Sequence, residues 1–405
     1  TVVMLFVTAG CVRENESAEE LKQGMWPGAI EIQGQELPFN FETRRDSSGG
    51  YDVYLINAQE RLLLDEVSVA GDSFDIALHV FDASFKGAIK GDSLDGAFIL
   101  HYADNYRVPF KAQWGQHFRF VKGDTTVATP DFGGKYAVTF FNESDTTQAV
   151  GVFHQVGDSV TGTFLTPTGD YRFLQGSVSN GRMQLSTFDG NHAYLFNATI
   201  DENGNLSGEY YSGKTWKQNW TGKKNDNPLV PPSESLTYLK EGVEKLDFRF
   251  PDLQGRMVSL DDERFRNKVV ILQLTGSWCP NCMDETKFLS SWYRANRHRP
   301  VEILALAYER KADFDYARAR VEKMKRKLNV PYDFVIAGTN DKAQASLTLP
   351  QLSGVVAFPT TILVGKDGKV KKVHTGFSGP GTGEYYEQYI EQFNKTVNEL
   401  LNENI

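Results

Sequence analysis

A Cys-x-x-Cys pair at the junction of an apolar strand and a helix constrains the fold most strongly. Cys279-Pro280-Asn281-Cys282 follows the apolar run 269–274 and precedes a segment with helical periodicity. Two intervening residues let the sulfurs meet in a small ring, and a helix N-terminus stabilises the thiolate of the first cysteine. The pattern therefore predicts reversible thiol–disulfide chemistry at the start of a helix.

Two other interpretations of this pair are a structural disulfide and half of a zinc site. A zinc site needs two more ligands. The chain has only 3 cysteines, and its 7 histidines show no paired ligand spacing. We therefore expect a redox-active Cys279–Cys282 disulfide, with no metal ion and no other cofactor.

The third cysteine, Cys11, ends an apolar N-terminal segment that closes with Ala9-Gly10. This segment resembles the end of a bacterial lipoprotein signal peptide, in which such a cysteine carries lipid. The resemblance implies a lipid anchor at Cys11, a tether that reaches residue 27, and a periplasmic location on the inner or outer membrane. The alternative is a nonspecific apolar N-terminus with a buried cysteine.

The composition is typical of a soluble globular protein. Hydrophobic residues make up 40% of the chain and charged residues 23%, and the net charge is −9. An acidic balance of this kind argues against nucleic acid as a partner. A length of 405 residues is enough for two or three domains.

Residues 28–224 show the alternation that is typical of short antiparallel strands, with frequent turn signals. The sequence GDSLDG at 91–96 recurs as GDSVTG at 157–162 and, more loosely, as NGNLSG at 203–208. Such segments are expected of tight hairpins. We predict an accessory antiparallel all-β domain, a sandwich or a barrel, with two possible related units over 28–120 and 130–224.

Residues 225–245 have the composition of a linker, and the periodicity changes beyond them. Strands are predicted at 269–274, 301–307, 332–336, 361–364 and 369–374, and helices at 285–296, 313–328 and 386–401. Alternation of this kind indicates an α/β layered domain over 246–405.

This C-terminal domain resembles the thioredoxin superfamily and, within it, the TlpA/ResA-like thiol–disulfide oxidoreductases. The resemblance covers roughly two-fifths of the chain and rests on Phe250-Pro251-Asp252, Gly255 with Ser259-Leu260, Trp278–Cys282 and Phe358-Pro359-Thr360-Thr361. It implies a thioredoxin-like fold and an enzyme that exchanges disulfides. The β-rich part is similar to the N-terminal domains of some bacterial lipoproteins of this kind.

The resemblance also implies roles for individual residues. Cys279 would attack a substrate disulfide, and Cys282 would resolve the mixed disulfide. Glu285 matches an active-site glutamate that moves protons, although it could simply complement the positive helix end. Pro359 would be a cis-proline that faces the pair and exposes backbone for an extended substrate, whereas the alternative is a trans proline on an edge strand.

Four further residues are expected to contact substrates: Trp278, Pro280, Phe358 and Thr360. For Trp278, simple core packing is the alternative. Gln273 occupies the strand position at which other thioredoxins carry a buried acid. Glu309, at the end of a predicted strand, is expected to be solvated, and the alternative is a position near the edge of the active site.

The sequence therefore predicts a membrane-anchored thiol–disulfide oxidoreductase that reduces protein disulfides in the periplasm. Its partners would be protein thiol and disulfide substrates and a membrane or periplasmic electron donor. One alternative is a peroxiredoxin-like peroxidase, whose usual Pro-x-x-x-Thr-x-x-Cys context is missing before Cys279. The other is a binding or scaffold lipoprotein whose β domain captures a partner.

Overall fold

Two all-β units and one α/β domain follow one another along the chain. The computed structural model describes residues 20–115, 119–120, 129–230, 232 and 235–403. Cys11, the expected lipidation site, lies outside the described residues. In the part of the chain that is described, no helix is both long and apolar enough to cross a membrane.

The first unit is an antiparallel sheet whose strands are β1 (Gly24–Ile32), β2 (Gln35–Arg45), β3 (Tyr51–Asn57), β4 (Glu60–Leu64), β5 (Val67–Ala70), β6 (Ser73–Ala77), β7 (Ala83–Lys90), β8 (Ser93–Leu100) and β9 (Arg107–Gln113). Their order in the sheet is β4-β3-β2-β1-β9-β8-β7-β6-β5. Inward side chains alternate with outward ones, and the inward set is rich in stacked phenylalanines such as Phe39, Phe85 and Phe110.

Strand β1 begins inside the segment that the sequence assigned to a tether. Trp26 is fully buried, and its indole Nε1 donates to the carbonyl oxygen of Lys22 at 2.9 Å. Leu21 is buried in the same core. The predicted boundary at residue 28 is therefore too late, because these apolar side chains complete the first sheet.

The second unit is a closed barrel whose strands are β10 (Gly134–Phe141), β11 (Thr146–Val156), β12 (Ser159–Thr166), β13 (Gly169–Asp170), β14 (Leu174–Ser179), β15 (Arg182–Phe188), β16 (Ala193–Ile200), β17 (Leu206–Ser212) and β18 (Trp216–Lys224). The ring closes because β10 pairs with β18 and β11 pairs with β12, while two-residue β13 only extends a hairpin. Aromatic side chains such as Phe140, Phe164 and Trp220 fill the interior.

The recurring segments 91–96, 157–162 and 203–208 lie at the turns of three hairpins, β7–β8, β11–β12 and β16–β17. In them Gly91, Gly157 and Gly204 take φ angles of 61°, 62° and 78°, the region that favours glycine. In both units the last strand pairs with the first. The prediction of an antiparallel all-β region is confirmed.

The C-terminal domain contains β19 (Phe250–Pro251), β20 (Met257–Val258), β21 (Val269–Thr275), α1 (Pro280–Asn296), β22 (Val301–Glu309), α2 (Phe314–Lys327), β23 (Asp333–Thr339), α3 (Lys342–Thr348), β24 (Thr360–Val364), β25 (Val370–Thr375) and α4 (Glu384–Asn402), with 3₁₀ turns at Glu263–Phe265 and Pro380–Thr382. The main sheet has the order β23-β22-β21-β24-β25, in which β21, β22 and β23 are parallel and the other pairings are antiparallel. This confirms the predicted thioredoxin-like α/β fold. The short helix α3 was not predicted.

Part of the segment predicted as a linker packs on this domain. Leu239 forms a β-bridge with Leu352, and the backbone N–H of Lys240 donates to the carbonyl oxygen of Gln351 at 2.9 Å. The folded part of the C-terminal region therefore begins before the predicted boundary at residue 246.

The helices of the C-terminal domain also contact the first sheet. Met283 and Trp292 of α1 belong to one continuous apolar core with residues of the first sheet such as Phe39. Basic residues of α2 pair with the short connection between β4 and β5: Lys323 contacts Glu66 at 2.8 Å, and Lys327 contacts Asp65. The three parts of the chain thus share buried and charged contacts.

Candidate active site

The cysteine pair lies at the first turn of α1. Cys279 is the N-cap residue, and its Sγ accepts a hydrogen bond from the backbone N–H of Cys282 at 3.1 Å. A disulfide joins the two residues across a Cα–Cα distance of 5.1 Å. Pro280 follows directly, where a missing N–H removes no helical hydrogen bond. In the reduced protein this donor and the helix dipole favour a thiolate at Cys279.

The loop before β24 faces the pair. The Phe358–Pro359 peptide bond is cis, and the Cys279 Sγ lies 3.7 Å from the carbonyl oxygen of Phe358. Thr360, which the sequence assigned to substrate contact, is fully buried and donates to the carbonyl oxygen of Ala357 at 2.8 Å. Its hydroxyl therefore holds the loop together instead of pointing toward a substrate.

Trp278 lies beside the pair and is only partly exposed. Its Nε1 donates to the carbonyl oxygen of Tyr308 at 2.8 Å, and its ring meets the Phe358 ring edge-on at a centroid distance of 5.8 Å. The guanidinium of Arg310 lies 5.2 Å from the Trp278 ring centroid. Trp278 therefore packs against Phe358 and against the apolar cluster that contains both cysteines.

Glu309 is buried, so the prediction that it is solvated is wrong. Both its carboxylate oxygens accept from Ser277, one from the backbone N–H at 2.7 Å and one from the hydroxyl at 2.8 Å. Burial raises the pKa of Glu309 to about 7, against the opposing effect of these two donors. The carboxyl therefore supports the loop that precedes the cysteine pair.

Glu285 is fully buried behind the pair, among neutral hydrogen-bond donors. Its carboxyl accepts from Gln273 Nε2 at 2.9 Å, from Thr361 Oγ1 at 2.6 Å and from the Tyr389 hydroxyl at 3.5 Å. Burial raises the pKa of Glu285 to about 7, and the three donors oppose the shift. A carboxyl with such a pKa can take up and release a proton near neutral pH.

Asp284, the neighbour of Glu285, lies in an ionic environment. Arg172 of the barrel donates to it from Nε at 2.9 Å and from Nη2 at 3.2 Å. The same guanidinium donates to Asp189 at 2.9 Å and to Glu60. We call these four side chains the ionic junction, because they join the first sheet, the barrel and α1.

The charges of the ionic junction depend on one another. Burial alone would lower the pKa of Arg172, but the carboxylates of Asp284, Glu60 and Asp189 raise it above its ordinary value. Burial raises the pKa of Glu60, against the attraction of Arg172. Arg172 itself is 1% exposed. A buried arginine with three carboxylates holds its partners in fixed positions.

The structure brings together Cys279, Cys282, Phe358 and Pro359, with Glu285 behind them. Sequence reasoning missed Arg172 and also Asp170, whose carbonyl oxygen accepts from Asn281 Nδ2 at 2.9 Å, since no local pattern marks a barrel residue as a neighbour of the pair. Among the described residues, no group of three or more His, Cys, Asp and Glu side chains could hold a metal ion.

Comparison with known proteins identifies the family. Residues 240–390 match the Redoxin family model. The chain is 32% identical over 145 residues to the thiol-disulfide oxidoreductase ResA of Geobacillus thermodenitrificans, which covers 36% of this chain and 73% of the relative. It is 29% identical over 151 residues to ResA of Bacillus anthracis, covering 37% and 77%. This chain belongs to the ResA-like branch of the thioredoxin superfamily.

A solved thiol-disulfide oxidoreductase from Bacteroides fragilis superimposes with a TM-score of 0.28 at 23% identity, over 36% of this chain and 99% of that one. Membership of the ResA-like branch makes this protein a thiol–disulfide oxidoreductase. Members of this family act on protein thiols through a cysteine redox centre.

Proposed function

We propose that this protein is a membrane-anchored reductase of protein disulfides in the periplasm. The observation that carries the proposal is the Cys279–Cys282 pair at the N-terminus of α1, opposite the Phe358–Pro359 loop. Reduction rather than oxidation is favoured by the likeness to ResA over the C-terminal domain.

In the first step the Cys279 thiolate attacks one sulfur of a substrate disulfide. A bond forms between Cys279 Sγ and that sulfur, the substrate disulfide breaks, and the other substrate sulfur leaves as a thiolate that takes a proton. The N–H of Cys282, 3.1 Å from Cys279 Sγ, and the N-terminus of α1 stabilise the attacking thiolate.

In the second step the Cys282 thiolate attacks Cys279 Sγ. The Cys279–Cys282 bond forms, the mixed disulfide breaks, and the second substrate sulfur leaves as a thiol, so that two electrons pass from the pair to the substrate. Glu285 follows Cys282 by three positions on α1 and therefore lies on the same side of the helix. Its raised pKa suits it to accept the Cys282 proton. A dithiol donor must then return two electrons to the pair.

Trapping of the mixed disulfide tests this mechanism. Cys282→Ala removes the resolving thiol, so we expect mixed disulfides between Cys279 and native substrates to accumulate, identifiable by mass spectrometry after affinity purification. Cys279→Ala combined with Cys282→Ala is the matched control and should trap nothing. Absence of trapped partners, together with turnover of hydroperoxides, would favour the peroxidase alternative.

The membrane anchor rests on the apolar segment that ends at Ala9-Gly10-Cys11. Cys11→Ala is expected to move the protein from the membrane fraction to the periplasmic fraction. Unchanged fractionation would contradict a lipid anchor and leave the chemistry of the pair untouched.

A further inference from the structure

A barrel hairpin reaches the active-site pair. We call residues 166–172 the strap, which contains the end of β12, all of β13 and Arg172. Asn281, which lies between the two cysteines, donates from Nδ2 to the carbonyl oxygen of Asp170 at 2.9 Å. The variable part of the Cys-x-x-Cys sequence is thus bonded to the backbone of another unit.

The strap also covers the loop that lies beside Pro359. The carbonyl oxygen of Pro359 accepts from the backbone N–H of Gly376 at 2.8 Å. A Cβ at Gly376 would lie 2.6 Å from the carbonyl carbon of Thr168, so the two backbones are in close contact. Asp170 Oδ2 also accepts from the backbone N–H of Gly379 at 2.5 Å. The strap therefore occupies the surface of the loop that follows β25, next to Pro359.

The strap is fixed in place rather than poised to move. Its Arg172 belongs to the ionic junction, and the Asp170 carboxylate accepts from the backbone N–H of Arg172 at 2.6 Å. Lifting the strap would leave buried charges without partners, which is strongly unfavourable. The strap is therefore a fixed steric barrier beside the pair.

The β units also border the opposite side of the pair, at Trp278. The guanidinium of Arg310 lies 3.8 Å from the ring centroid of Tyr102 in the first unit, and it donates to Asn191 of the barrel at 2.8 Å. The same guanidinium covers the Trp278 ring. Between these two flanks Cys279 is 5% exposed.

We propose that the strap is a specificity-determining element of the oxidoreductase. The strap closes the side of the pair at Asn281 and Pro359. Only disulfides of small molecules or of extended protein segments then reach Cys279. Disulfides embedded in the surface of a folded partner are rejected, because the partner would collide with the strap. Specificity then comes from a steric clash with the wrong partner. The inference rests on the proposed function.

Loosening the strap tests the inference. Asp170→Ala removes the acceptor of the backbone N–H groups of Gly379 and Arg172 and keeps both cysteines and the Arg172 guanidinium. With dithiothreitol as donor, kcat/KM is measured for hydroxyethyl disulfide and for native insulin. We expect the ratio of insulin to small-disulfide kcat/KM to rise at least about tenfold. Asp170→Asn keeps one acceptor oxygen and should give an intermediate ratio; it serves as the second variant if Asp170→Ala does not fold.

Asp201→Ala is the matched control, since the Asp201 carboxylate accepts backbone N–H groups of Asn203 and Asn205 in another barrel hairpin. Asp201→Ala should have the same ratio of insulin to small-disulfide kcat/KM as the wild type. An unchanged ratio in the Asp170 variants, or an equal loss with both substrates, overturns the inference while the proposed function stands. A wild-type protein that reduces neither substrate overturns the proposed function itself.

Discussion

Two adjacent carboxyl groups on α1, those of Asp284 and Glu285, lie in opposite environments. Asp284 receives two hydrogen bonds from Arg172 of the barrel, within the ionic junction. Glu285 receives only neutral donors, all from the C-terminal domain itself. Both groups are buried. The difference between them is therefore the charge of the partner and not the extent of burial.

This contrast separates two roles. Two hydrogen bonds from a buried guanidinium fix the position of the Asp284 carboxyl group, so this side chain joins the accessory units to the catalytic helix. A carboxyl among neutral donors has a pKa near 7 and can change its charge during a reaction. One helix thus carries an assembly contact and a proton acceptor side by side.

The largest expected effect comes from removing the guanidinium. Arg172→Met leaves the buried carboxyl groups of Asp284, Asp189 and Glu60 without their shared guanidinium, so we expect a loss of about 3–5 kcal/mol in the free energy of unfolding. Urea denaturation followed by fluorescence measures it. Arg44→Met is the matched control, because Arg44 pairs with Glu42 at the surface. Equal stability of the two variants would show that the ionic junction does not hold the units together.

A smaller effect, dependent on pH, is expected from Glu285→Gln. The pKa of Glu285 is about 7 in the folded protein and 4.5 ordinarily, so the folded state binds the proton more tightly. The stabilisation of the folded state by this proton is complete below the ordinary pKa of 4.5 and is lost as the pH rises through the folded-state pKa of about 7. Between about pH 5 and pH 8, the free energy of unfolding of the wild type should fall by up to about 3 kcal/mol relative to that of Glu285→Gln.

Glu309 has a similarly raised pKa and remains in both proteins, so its contribution cancels in this comparison. Unfolding free energies at several pH values provide the measurement. A difference that does not vary with pH would contradict a change in the protonation of Glu285 over this range.

The smallest effect is expected at the edge of α2. Lys323 pairs with Glu66 at 2.8 Å, and the Glu66 side chain is well exposed. Lys323→Met should change the free energy of unfolding by less than about 1 kcal/mol, and salt should reduce the difference further. A loss as large as that of Arg172→Met would place the main attachment of the first sheet at α2 instead.

Features with short sequence spacing could be predicted well. The pair and its position at the start of a helix follow from residues that are close in the chain, although the helix begins at Pro280, before the predicted residue 285. The place of the Phe358–Pro359 loop opposite the pair was implied by the family resemblance. Alternating patterns and turn glycines likewise indicated antiparallel strands over the N-terminal half. These features depend on local backbone preferences, which the sequence displays directly.

Features that depend on packing between units could not be predicted. Arg172 and Asp284 are 112 positions apart, and nothing near either residue marks it as a partner. Burial of Glu309 likewise requires its neighbours in space, since a strand end alone suggests exposure. The early start of β1 depends on the core that receives Trp26.

The closed ring of the barrel limits how other chains can associate with this protein. A sheet edge offers unpaired N–H and C=O groups to any extended polypeptide. Over its described strands, and apart from short β13, the barrel has no such edge, because the pairings of β10 with β18 and of β11 with β12 close the ring. The outer strands of the C-terminal sheet are β23 and β25. Among the described sheets, recruitment of an unfolded chain by strand addition is therefore confined to those outside the barrel, and the barrel resists edge-to-edge aggregation.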